Sequence, residues 1–133
     1  MSRSRLFFAV LAGACAVVGA TTAVGASSFP TALTFTGTEK TADPDVLIFN
    51  GVVSSPKAAC QRNRLVKFAT TPAGEDGPFT PQGSDRSASN GAFEEDVDVT
   101  GFPDVRITAP KRRFGPRGNR KTCKKAEILL TAD

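Results

Sequence analysis

Two cysteines, Cys60 and Cys123, bracket the part of this chain richest in β-forming residues. A third, Cys15, falls in an N-terminal leader. An even pair on an exported chain is expected to join. The bridge would close a loop of about sixty residues, and the chain-entropy model gives such a loop roughly 4 kcal/mol of stabilisation. A redox-active pair would sit close together, as Cys-x-x-Cys, with a lowered thiol pKa. One wide pair predicts a structural staple in a small cross-linked domain.

Export is expected from the front end. Met1-Ser2-Arg3-Ser4-Arg5 precedes a largely apolar run from Leu6 to Ala20, and small residues follow. Both Val18-Gly19-Ala20 and Val24-Gly25-Ala26 offer cleavage sites. The second is preferred, because Ser27-Ser28-Phe29-Pro30 reads as a mature start. The run is short for a membrane span and lacks a basic stop-transfer flank, so no stable membrane anchor is expected. Cys15 has Ala12 where a lipobox needs an aliphatic residue, which argues against lipidation. The predicted organisation is a signal peptide over 1–26 and one secreted domain over 27–133, monomeric.

Removing the leader takes away Arg3 and Arg5. Fifteen of the seventeen basic residues then face thirteen acids, a net charge of about +2. Little over one hundred residues remain, enough for one modest core. There is no His, Trp or Tyr. Without His the usual nucleophile–base pairs and the commonest metal ligand are missing. No catalytic residue, metal site or cofactor is therefore expected, and the chain reads as non-enzymatic. Lacking Trp and Tyr, it also lacks good stacking platforms for sugars or bases, and nucleic acid is not an expected partner.

Periodicity of two dominates the mature chain, and no helical repeat lasts beyond about a turn. Seven short strands are predicted. Thr31 to Thr36 is a first, edge strand. Asp45 to Val53, apolar on both faces, predicts a central strand covered on each side, with Gly51 marking a bulge or a close approach. Leu65 to Thr70 is the third. Thr71 to Gly83, with Pro72, Pro78 and Pro81, predicts a long exposed loop outside any ladder. Asp85 to Ser89 is the fourth strand, and Asn90-Gly91 the hairpin turn after it. Phe93 to Thr100 alternates most clearly. Val105 to Ala109 follows, then a basic Gly/Pro loop over Pro110 to Thr122, and Ala126 to Thr131 closes the sheet. Seven strands at this spacing predict an all-β fold, a single antiparallel β-sandwich.

These segments resemble small secreted actinobacterial proteins with a carboxypeptidase-regulatory-like or transthyretin-like (prealbumin-like) sandwich. The matching pieces are Gly51-Val52-Val53-Ser54-Ser55, Cys60, Arg64-Leu65-Val66-Lys67-Phe68, Ser89-Asn90-Gly91-Ala92-Phe93 and Cys123-Lys124-Lys125-Ala126. The likeness spans about Thr31 to Thr131. Where that family often has Tyr or Trp, Phe93 and Ile107 stand here. The resemblance implies an accessory, adhesive or stabilising module and no activity.

The sharpest functional signal is the basic loop. Lys111, Arg112, Arg113, Arg117, Arg120, Lys121, Lys124 and Lys125 occupy fifteen residues with no acid among them. Such a field suits phosphate, teichoic acid, another anionic glycan or a membrane surface, the plainer alternative being a solvated loop partly balanced by the acidic strand; for an anionic cell-wall polymer the predicted binding set is Lys111, Arg112, Arg113, Arg117, Arg120 and Lys121. Glu94, Asp96 and Asp98, with Asp104 nearby, form an acidic face whose spacing is too wide for calcium without loop ligands. Glu95 falls on the apolar face beside Phe93 and Val97. It needs a partner such as Lys67 or Arg106, or a bulge that turns it to solvent. The expected role is a cell-surface or extracellular binding module. The competing class is an inhibitor of a secreted protease, acting through the Thr71–Gly83 or Arg112–Arg120 loop, with Arg113 or Arg117 entering a trypsin-like pocket.

Overall fold

The computed structural model describes residues 8–11, 27–75 and 77–132. Its strands are β1 (Phe8–Leu11), β2 (Ser28–Phe29), β3 (Ala32–Lys40), β4 (Val46–Ser54), β5 (Leu65–Thr71), β6 (Thr80–Arg86), β7 (Ala92–Asp98), β8 (Asp104–Ala109), β9 (Arg112–Phe114), β10 (Lys121–Cys123) and β11 (Ala126–Ala132). One helical turn, α1 (Ala58–Gln61), interrupts them.

Two sheets face each other. One has the order β3-β4-β7, the other β1-β11-β8-β5-β6. Every pairing within these two sheets is antiparallel. Leaving β1 aside, the strands in chain order pair first-second-fifth and seventh-sixth-third-fourth. An immunoglobulin sandwich pairs A-B-E-D against C-F-G. Here the fourth strand, β6, lies beside the third instead of the fifth. A third sheet, β2-β10-β9, caps one end.

Alternation decides which residues meet between the sheets. Leu47, Phe49 and Val53 of β4 and Phe93 and Val97 of β7 point inward. Val66 and Phe68 of β5, Val105 and Ile107 of β8, and Ile128 and Leu130 of β11 meet them. Four phenylalanines run through the middle, with centroid distances of 5.7 Å for Phe35–Phe49, 6.4 Å for Phe49–Phe68 and 5.8 Å for Phe68–Phe93. Each buried ring contributes roughly 2–3 kcal/mol through area removed from water. Gly51 is a close approach: a Cβ there would stand 2.6 Å from the Thr34 carbonyl oxygen and overlap the Phe93 ring.

Several expectations are revised. β4 is central, but only one of its faces is buried; Ile48 and Val52 on the other are half-exposed. The fourth strand begins at Thr80, inside the stretch expected as a loop. Pro81 is tolerated because β6 is an edge strand, where a missing N–H leaves one ladder intact, and Gln82 is skipped in a bulge between the Phe68–Gly83 and Ala69–Pro81 pairs. The Asn90-Gly91 turn exists but is a corner between sheets, not a hairpin within one: Gly91 donates to the Ala88 carbonyl at 2.9 Å and accepts from Val53 N–H at 2.8 Å. The basic segment is not an open loop. β9 and β10 pair with Arg113 opposite Thr122, and Asn119 N–H donates to the Pro116 carbonyl in the connecting turn. Of the expected signal peptide only Phe8–Leu11 are described, as β1 against β11; Cys15 and the rest lie outside the described residues.

Candidate anion-binding site

The site is built on a covalent and a polar anchor. Cys60 of α1 and Cys123 of β10 form a disulfide, with Cα atoms 5.4 Å apart and both residues fully buried. Beside it lies Arg64, 1 % exposed. Its Nη1 donates to Thr31 Oγ1 at 3.0 Å and to the Cys60 carbonyl at 2.9 Å. Its Nη2 donates to the Pro110 carbonyl at 2.9 Å and the Lys124 carbonyl at 2.8 Å. No carboxylate answers this charge among the described residues, and burial lowers its pKa, with the nearby Arg112 charge adding to the shift. Four neutral acceptors from four segments do the work of a counter-ion. Arg64 thereby fixes both ends of the basic segment, at Pro110 and Lys124.

Between those ends, strand alternation sorts the cations. Phe29, Cys123 and Arg112 share one face of the small sheet; Ser28, Thr122 and Arg113 share the other. Lys111, Arg113, Arg120, Lys124 and Lys125 line an open hollow of about 450 Å³, with hydroxyls from Ser27, Ser28 and Thr122. Among the described residues, no carboxylate lines it. β2 is held there by a parallel pairing to β10, by a bond from Thr122 N–H to the Ser27 carbonyl at 2.7 Å, and by one from Lys124 N–H to the Phe29 carbonyl at 2.9 Å.

Three of the six predicted anion-binding residues therefore meet, Lys111, Arg113 and Arg120. The other three are placed elsewhere. Arg112 turns to the opposite face and donates to the carbonyls of Arg62 at 3.4 Å and Asn63 at 3.2 Å. Lys121 sits over the Phe29 ring, 5.9 Å from its centroid. Arg117 stands exposed in the turn between β9 and β10. Phe114 packs half-buried on Phe29 at 6.3 Å. Ser27, Ser28 and Thr122 were not legible as site residues. The parallel pairing of chain segments almost a hundred residues apart brings in Ser27 and Ser28, and Thr122 joins by lying opposite Arg113.

The hollow continues into a larger groove of about 690 Å³ across the outer face of the β5–β8 pair, and Lys111 and Lys125 line both. Glu127 lines this groove, while the acids of the predicted acidic face lie elsewhere. Glu94, Asp96 and Asp98 are exposed on β7. Asp104 is buried in the facing sheet, where it accepts from Gly74 N–H at 3.3 Å. Among the described residues, no group of three acids or cysteines is placed to hold a metal ion. Glu95 is half-buried in a regular register opposite Phe49, so no bulge turns it outward. Burial first, then the Asp85 and Asp96 charges, raise its pKa.

Comparison with protein families, with curated proteins and with solved structures returns no match.

Proposed function

We propose that the chain is exported, loses residues 1–26 and acts as a non-enzymatic binding module of the cell surface or extracellular space, holding an anionic polymer on the basic hollow. One observation carries this reading: among the described residues, five cations and three hydroxyl-bearing residues line one hollow and no carboxylate does. A single exposed charge binds weakly, but several around one concave surface raise the local concentration of an anion. The disulfide fits an oxidising compartment, and among the described residues no helix is long and apolar enough to cross a membrane. The resemblance to prealbumin-like accessory modules fits the same role. It rests on short motifs, while the strand pairing follows the immunoglobulin order in all but one strand.

The test is retention on host cell walls at low and high salt. Replacing Lys111, Arg113 and Arg120 together with Ser should release the protein, and salt should do the same to the parent. Replacing Arg117 and Lys121 should matter far less. Retention that survives the triple replacement overturns the reading. N-terminal sequencing of the protein recovered from outside the cell should begin at Ser27.

A further inference from the structure

The groove beside the basic hollow differs from it in kind. Its floor is apolar, formed by Phe79, Pro81, Ala69 and Pro110. Its rim carries Lys67, Arg106, Lys111 and Lys125. Arg106 is half-buried, and its guanidinium carbon lies 4.2 Å from the Phe79 ring centroid. Its Nε is buried without a hydrogen-bond partner, and among the described residues its guanidinium has neither hydrogen bond nor ion pair. A cation held over an aromatic ring, with no protein acceptor among the described residues, is prepared for a planar oxyanion.

We propose that this groove binds a carboxylated sugar chain, a polysaccharide containing uronic acid, with Arg106 taking the carboxylate. This rests on the reading that the basic face holds anionic polymers, and it names the class. A guanidinium fork matches a carboxylate in two parallel hydrogen bonds. The apolar floor suits the C–H face of a sugar ring, whereas polyphosphates and polyol phosphates present no such face. An apolar concave surface with polar groups placed around it is the usual form of a small-molecule subsite. Glu127, the one acid lining the groove among the described residues, already accepts from Thr108 Oγ1 at 3.3 Å and pairs with Lys125 at 3.4 Å. With Ser84 and Thr108 it offers partners for sugar hydroxyls. Because Lys111 and Lys125 also line the hollow, a chain leaving the groove passes onto further cations. The absence of Trp and Tyr argued against a sugar platform. Pro81 and Pro110, from separate parts of the chain, supply apolar surface with Ala69 instead, and Phe79 holds Arg106 beside them.

The experiment titrates the disulfide-bonded protein with a short oligogalacturonide, followed by amide chemical shifts and calorimetry. A neutral maltooligosaccharide, polyphosphate and poly-glutamate serve as comparison probes. Shifts should concentrate on β5, β6 and β8. Arg106→Gln should weaken uronide binding about tenfold or more, and Arg106→Lys should weaken it severalfold because it keeps charge without the fork. Phe79→Ala should weaken it as well; melting curves identify any variant that has lost its fold, and the shift map of the parent stands independently of all of them. The triple replacement in the hollow should cost polyphosphate more affinity than uronide. Unchanged affinity in Arg106→Gln, shifts confined to the hairpin, or equal binding of poly-glutamate overturns the proposal. If uronide fails while wall retention persists, the groove assignment falls and the hollow stands. If both fail, both readings fall.

Discussion

At the scale of single residues, two charges that a simple inside–outside rule would keep out of the interior shape this protein. Arg64 binds four oxygens from four segments, so removing it strands buried acceptors. Arg64→Met, which keeps most of the apolar stem, should cost about 3 kcal/mol or more in urea unfolding. Arg64→Lys should cost nearly as much, because one ammonium cannot span the four positions. An unfolding midpoint unmoved by either would refute this account. Glu95 sits under Gly83, where a Cβ would lie 2.9 Å from its Oε1. Its pKa is raised in the fold, so folding favours the neutral acid. That contribution is present below the ordinary glutamate range and is lost as pH rises through the raised value. Glu95→Gln should therefore stabilise the protein at neutral pH, by a few tenths of a kcal/mol after solvent screening. The gap between the two melting temperatures should close near pH ~4, where both side chains are largely neutral.

At the scale of elements, local pattern and position in the sheet share the decisions. β7 was legible from its period of two and β4 from its apolar run, whereas the burial of only one face of β4 was not. β6 was not legible. The prolines of the Thr71–Gly83 stretch argue for a loop, and only the place of β6 at the sheet edge, with no second neighbour to bond, lets Pro81 stand in a strand. The Asn90-Gly91 turn was legible as a turn, but its role as a corner was not, since that depends on its docking against β4. Gly91 has φ 88°, and a Cβ there would run into the Val53 carbonyl. Gly91→Ala should cost about 2 kcal/mol, more than positive φ alone explains, measurable by thermal unfolding. The basic hairpin shows the same division. Its charge was plain from the residues, while the facing of Arg113 against Arg112 followed from pairing with β10.

For the molecule as a whole, the cross-link joins the α1 end of the sandwich to the capping sheet across 63 residues of chain. Opening it should cost roughly 4 kcal/mol, most of it through the freedom restored to the unfolded chain. That is a large share of the stability of any domain this small. Guanidinium unfolding with and without reductant should show the midpoint fall steeply, with Cys60→Ser/Cys123→Ser behaving like the reduced protein. Coincident curves would mean that the staple contributes little. Charge is also distributed at this scale. The basic hollow and groove lie at the capping sheet and on the outer face of the β5–β8 pair, and Glu94, Asp96 and Asp98 lie on the outer face of the opposing sheet. A polyanion therefore meets one face, and salt screens its approach.

The residues alone determined the all-strand character, the phenylalanine core and the two cysteines available for bridging, because side-chain alternation, ring burial and thiol chemistry are local properties. They also placed a dense positive charge before β11. Tertiary structure decided which cations share a surface, that Ser27 and Ser28 join them, and that Arg64 is buried with no acid beside it among the described residues. It also set Arg106 on Phe79 with no protein acceptor among the described residues. Each of these depends on contacts between distant segments, and a linear pattern carries no information about which distant backbone will supply a partner.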